Sequence, residues 1–173
     1  MKFYNIKLIL ACVSLCLVLK SCTTNNNNTV EKKIDEEMAR NQILALHKDQ
    51  RNYHFEKKVD EFVALLSPDH LSVNRGEISS LSAEEHKTRF SNYFNNVEFE
   101  QWDDLNPPII KFSDDYSLAY TIVDKAVVVN YKDKDGETFR DSTKFSWVAI
   151  YKRYDDKWLI DCVASTNKPS EEI

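Results

Sequence analysis

Hydrophobic positions along the chain change their spacing twice. They run almost unbroken over residues 8–19, recur near every 3.6 residues over 30–54, and fall into β-branched and aromatic stretches after Val97. The middle segment has helix formers, no Gly and no Pro, and carries Ile34, Met38, Ile43, Leu46, Gln50 and either Tyr53 or His54 on one stripe. That spacing predicts a long amphipathic helix. A second helix is predicted over 57–66, with Phe62, Leu65 and Leu66 inward and Pro68 ending it, because proline has no amide hydrogen and clashes with the previous turn. A short strand is predicted at 70–74. Ser82-Ala83-Glu84-Glu85 matches a capping box, so a helix should start there and run to about Asn95, burying Phe90, Tyr93 and Phe94. Strands are then predicted at 97–102, 109–112, 118–131, 138–154 and 158–166, separated by SDDY, KDKDGE and YDDK turns. Helices first and an antiparallel meander second define an α+β class. Regular alternation in the last strand puts Trp158, Ile160, Cys162 and Ala164 on one face and Leu159, Asp161 and Val163 on the other.

The first apolar run is about a dozen residues long, whereas a membrane-spanning helix needs roughly 20. Lys2 and Lys7 precede or border it with no acidic residue between them, and small Ser21 stands just before Cys22, as in an export signal with a processing site. The block Leu19-Lys20-Ser21-Cys22 resembles the bacterial lipobox, with Lys20 where a small or apolar residue is usual. The resemblance implies a signal peptide over 1–21, lipid on Cys22, and a bacterial cell-envelope location reached by export. Residues 22–30, rich in Asn and without hydrophobic pattern, read as a flexible tether. One domain is expected over 31–167, followed by a tail at 168–173.

Composition narrows the chemistry. Cleavage would remove Lys2, Lys7 and Lys20, leaving 20 Lys and Arg against 28 Asp and Glu, a formal net charge of −8 against −5 for the full chain. A nucleic-acid partner is not expected. Gly occurs only at 76 and 136, so a glycine-rich phosphate loop is excluded, and His47, His54, His70 and His86 show no metal-ligand spacing. Neither metal nor cofactor is therefore expected. With Cys12 and Cys16 in the leader and Cys22 lipidated, Cys162 stands alone, and in an apolar strand it reads as an inert core thiol.

The order of elements, and above all FSWVAIYKRYDDKWLIDCVAST, resembles the nuclear transport factor 2-like superfamily, which includes ketosteroid isomerase and SnoaL-like proteins. Its closing hairpin often reads apolar strand, acidic turn, Lys-Trp, apolar strand, here Trp147 to Tyr154, Asp155-Asp156, Lys157-Trp158 and Leu159 to Ser165. The resemblance spans roughly 34–166. It implies a cystatin-like α+β cone, with N-terminal helices packed in the concave face of a bent antiparallel sheet and a cavity between them. The candidate lining residues are Gln50, Tyr53, His54, Asn74, Trp102, Tyr120, Trp147 and Asp161. For Trp102, Tyr120 and Trp147 plain core is the commoner role, Asp161 also reads as a solvent-facing residue, and alternation does not say which sheet face is concave. In ketosteroid isomerase an Asp base works beside a hydrogen-bonding Tyr. Tyr53 could be such a donor, yet Leu71-Ser72-Val73-Asn74 holds no carboxylate, and Asp69 and Glu77 fall at the strand ends. No catalytic residue is assigned. The leading expectation is a non-catalytic module for a small apolar ligand or a partner protein, and the alternative is an isomerase- or hydrolase-like enzyme. Relatives of this fold often pair through their sheets, which implies a homodimer.

The lipid reading has a direct test. Each buried acyl methylene contributes about 0.8 kcal/mol, so Cys22→Ser should move the protein from the detergent-extracted membrane fraction to the soluble one; unchanged partition after cell fractionation sinks it.

Overall fold

The computed structural model describes residues 35–132 and 134–168. The signal peptide, Cys22, the tether, Ile34 and nearly all of the tail lie outside the described residues.

The first helix, α1 (Glu36–Phe55), starts where Asp35 Oδ1 accepts from the Glu37 amide at 3.1 Å, with Glu36 and Glu37 in the first turn favoured by the helix dipole. Its buried stripe is Ala39, Ile43, His47, Gln50 and His54, and Met38, expected inward, is exposed. The stripe turns polar halfway along, so an apolar pattern alone places it one position early. The next helix, α2 (Val59–Val63), is shorter than expected: Leu66 already belongs to β1 (Leu66–Asn74) and pairs with Ile160. Pro68 therefore does not end the helix. It lies in the strand between Leu66 and Leu71, where the ladder register is broken and a missing amide hydrogen costs little.

A strand that the pattern did not predict, β2 (Glu77–Ser80), folds back on β1 through Arg75 and Gly76. Both take positive φ, +53° and +80°, as a tight hairpin turn matched to strand twist requires. At the start of α3 (Ala83–Asn96) both halves of the capping box form: Ser82 Oγ accepts from the Glu85 amide, and Glu85 Oε2 accepts from the Ser82 amide at 2.8 Å. Phe94 is buried and Phe90 half-buried, but Tyr93 is 38% exposed, contrary to expectation, and stands at a rim described below.

The remaining strands are β3 (Val97–Asp104), β4 (Ile109–Phe112), β5 (Leu118–Lys132), β6 (Thr138–Tyr154) and β7 (Lys157–Asn167). The sheet order is β2-β1-β7-β6-β5-β3, with β4 also on β5. The class is α+β as expected, but the sheet is mixed, because β1 runs parallel to β7. The long chain between these two strands supplies the crossover that a parallel pair needs.

On β5 the residues at odd positions from Ala119 to Val127 are buried, and their β6 partners are Tyr151, Ala149, Trp147, Phe145 and Thr143. This is the inner face, covered by α1: Gln50 Nε2 donates to Tyr151 Oη at 3.3 Å, and Trp158 Nε1 donates to Gln42 Oε1 at 3.2 Å. Between the pairs Ile150–Cys162 and Tyr151–Ile160, Asp161 is one residue too many, a β-bulge. Trp158 and Ile160 point inward together as expected. Cys162 and Ala164 do not follow them: beyond the bulge they turn outward and Val163 turns in. Cys162 is accordingly half-buried on the outer face rather than a core residue, and burial pushes its thiol pKa up.

Trp158 is 3% exposed within the cluster of Ala39, Ile43, Leu65, Ile110, Tyr151 and Ile160. Removing a buried aromatic costs about 3–5 kcal/mol. Trp158→Ala should lower the denaturant midpoint severely; near wild-type unfolding combined with lost ligand binding would instead make it a recognition residue.

Candidate functional site

The sheet curves away from the C-terminal half of α1 and leaves a cavity of about 460 Å³, bordered also by side chains of α2 and α3. Gln50, His54, Asn74, Trp102 and Trp147 line it. Three other candidates do not. Tyr120 alternates onto the outer face and is 40% exposed, Tyr53 packs half-buried against the core cluster, and Asp161 sits in the bulge accepting from Ser67 Oγ at 2.9 Å. The odd positions Thr143 and Asp141, continuing inward from Trp147 and Phe145, also line the cavity, as do Phe62, His70, Phe90, Tyr93 and Tyr131. Counting back by twos along β6 from Trp147 would have found the first of these; the helix aromatics carry no signal that separates cavity from core.

His54 is held on all sides. It stacks on Trp102 with centroids 4.6 Å apart and 24° between planes, and meets Phe62, Phe94 and Phe99 edge-on. Its Nδ1 lies 2.6 Å from the Gln50 carbonyl oxygen, which can only accept, so Nδ1 carries the hydrogen and Nε2 keeps a lone pair. Burial lowers its pKa to about 4, against the weaker opposing effect of the Gln50 bond, so the ring is neutral at pH 7.

Trp102 also carries a buried ammonium: Lys125 Nζ is 3.7 Å from the ring centroid. Lys125 is 1% exposed, and its charge is matched by Asp104, whose Oδ1 lies 2.6 Å away and whose Oδ2 lies 2.7 Å from His47 Nε2. Burial lowers the pKa of both Lys125 and His47, and Asp104 works against each shift. The sequence hides this group, since Lys125 occupies an inward position in an otherwise apolar alternation. At the other wall His70 Nδ1 lies 3.2 Å from the Ile160 carbonyl oxygen, and burial lowers the pKa of His70 and of neighbouring His86. Among the described residues no three His, Cys, Asp or Glu converge on a metal position. The charged side chain that lines the cavity is Asp141, a carboxylate on β6 that accepts from Thr143 Oγ1 at 3.1 Å.

The geometry is that of an α+β cone with an aromatic cavity, and solved structures share the cone. No protein-family model and no curated protein sequence matches the chain. A nuclear transport factor 2-like (NTF2-like) protein from Cytophaga hutchinsonii is 17% identical, with 78% of this chain and 100% of that chain covered at a TM-score of 0.59. A protein from Exiguobacterium sibiricum named for the association domain of Ca/calmodulin-dependent kinase II is 13% identical, with 80% and 99% covered at 0.62. A type 2 hexachlorocyclohexane dehydrochlorinase is 11% identical, with 79% and 90% covered at 0.61. The chain has the nuclear transport factor 2-like fold. At these identities the likeness is one of fold.

The lowered His54 pKa makes stability depend on pH. Above about 6.5 the ring is neutral in both folded and unfolded chains; between about 6.5 and about 4 only the unfolded chain takes up the proton, so stability falls as pH falls, by about 3 kcal/mol in total. His54→Phe keeps an aromatic ring and removes that proton. Its urea midpoint should fall less than that of wild type between pH 7 and pH 4.5, and equal falls would show that His54 is not the buried neutral base described.

Proposed function

We propose that this domain binds a small, mainly apolar molecule without transforming it, that the chain is held at a bacterial cell envelope by lipid on Cys22, and that two copies pair through the outer faces of their sheets. The observation that carries the binding reading is the cavity itself, a space lined by aromatic and aliphatic side chains with a few fixed polar groups, the usual composition of a small-molecule site. Its neutral imidazole favours binding over catalysis: a base with a pKa of about 4 has little drive to remove a proton at neutral pH, while its Nε2 lone pair serves as a fixed acceptor. Among the described residues the carboxylate that lines the cavity is Asp141, and Tyr53 is not beside it in the lining but stays in the core cluster. The dehydrochlorinase of the same fold shows what the scaffold hosts elsewhere, and fold alone does not transfer an activity.

Support for pairing comes from the outer face. The register places Ile78, Val73, Ala164, Val148, Ile122 and Ile109 in one row crossing β2, β1, β7, β6, β5 and β4, every member apolar. Ile78 is 73% and Ile109 53% exposed at its two ends, and the next row brings Leu71, Cys162, Ile150 and Tyr120 together. Contiguous apolar surface of this kind marks an interaction site, and a two-fold axis lets one such patch cover its own copy.

One measurement tests both readings. Native mass spectrometry of the full chain, taken from its own host in mild detergent, should show a dimer that retains a small molecule. Ser72→Trp, which fills the cavity, should lose the small molecule and keep the dimer, while Ile122→Lys should give a monomer that keeps the small molecule. Wild-type protein that is monomeric and ligand-free overturns both.

A further inference from the structure

The cavity opens beside a group that the binding reading leaves unused. Tyr93 of α3, Tyr131 of β5 and Phe139 of β6 are 38%, 41% and 46% exposed, a concentration of large aromatic surface in one place. Tyr131 and Phe139 are register partners and stack with centroids 5.8 Å apart. Asp141 stands two residues along β6 from Phe139, on the same inner face, and lines the cavity with Tyr93 and Tyr131. Among the described residues its carboxylate has a hydroxyl partner, Thr143, and no cation. The nearest Arg in sequence, Arg140, alternates to the other face and is already paired with Glu100 at 2.9 Å. Among the described residues no Lys or Arg lines the cavity, and Lys125 at the Trp102 ring is matched by Asp104. A carboxylate among aromatic rings, with no positive side chain to satisfy it, complements a positive charge and repels a negative one.

We propose that the cavity takes a cationic amine with an apolar body, the ammonium resting against Asp141 within the rim of Tyr93, Tyr131 and Phe139 and the body lying toward Phe145 and Trp147. This rests on the ligand-binding reading of the cavity and names the chemical class that the reading leaves open. The rings supply negative faces for the cation and the carboxylate supplies the counter-charge, while His54 Nε2, deeper in, accepts from any hydroxyl or amine hydrogen on the body. Two features of Tyr93 agree with a shared mouth: burial first, and the Asp141 charge second, push its hydroxyl pKa up to about 12. It stays protonated and adds no second negative charge there.

Three isosteric probes decide it: 2-(1-naphthyl)ethylamine, 2-(1-naphthyl)ethanol and 1-naphthylacetate, titrated by calorimetry into the full chain in detergent with the heat of transfer to empty micelles subtracted. The amine should bind about tenfold or more tighter than the alcohol, the carboxylate should bind weakest, and the amine's advantage should shrink as salt is raised. Asp141→Asn, isosteric at the rim and checked for an unchanged thermal midpoint, should bring the amine to the level of the alcohol and leave the alcohol unaffected. If alcohol and amine bind alike, or Asp141→Asn leaves the preference intact, the amine assignment falls while the cavity stands as a ligand site. If none of the three binds, both the assignment and the small-molecule reading for flat apolar bodies fall.

Discussion

The extra residue at Asp161 decides which side of the last strand faces the helices. Side chains in a strand alternate with a period of two, so one inserted residue exchanges the faces for everything beyond it. Before the bulge Trp158 and Ile160 close the core; after it Val163 and Ser165 enter the cavity, while Cys162 and Ala164 join the apolar outer rows. Had the strand paired regularly through Asp161, that residue would face outward, Cys162 would turn into the core and Val163 would be lost to the outside. Ser67, from the irregular stretch of β1, donates to Asp161 at 2.9 Å, so the two broken ladders hold one another. Cavity and outer face thus depend on the same irregularity.

A second constraint acts on the opposite wall. Lys125 is buried, and an isolated ammonium in that position would be far too costly; Asp104 makes it tolerable, and Trp102 covers it. Trp102 is held by both Lys125 and His54, so its ring has little freedom where it meets the cavity. Breaking the pair by removing Asp104 would leave a buried cation under the ring that orients His54. The polar cluster therefore acts on the cavity through position, one layer behind the residues a ligand would touch.

The sequence made the architecture legible where local chemistry is strong. The capping box at Ser82, the aromatic and β-branched strands and the acidic hairpin before Trp158 each specify an element without help from the rest of the chain. It failed where tertiary structure overrules the local pattern: Pro68 reads as a helix stop but sits in a broken ladder, and Cys162 reads as core until the bulge turns it out. The candidate cavity was legible in part. Gln50, His54, Asn74, Trp102 and Trp147 do come together, whereas Tyr120 was lost because alternation alone cannot say which face is concave. Asp141 is reached by counting back by twos from Trp147 along β6, but Lys125 could not be singled out, since charged residues in strands ordinarily face water and only the register shows it facing inward.

The buried stripe of α1 joins these parts. It begins with Ala39 and Ile43, against the end of the cone that Trp158 and Tyr151 seal, and continues through His47, Gln50 and His54 toward the end that stays open. A helix that only capped a core would keep its apolar stripe throughout. Here each polar residue of the stripe has a partner or a duty: His47 on Asp104, Gln50 on Tyr151, and His54 bonded to the chain at one nitrogen and left with a lone pair at the other. One helix thereby carries the chain from packing to recognition, and the change from apolar to polar along its inner face marks where the core ends and the site begins.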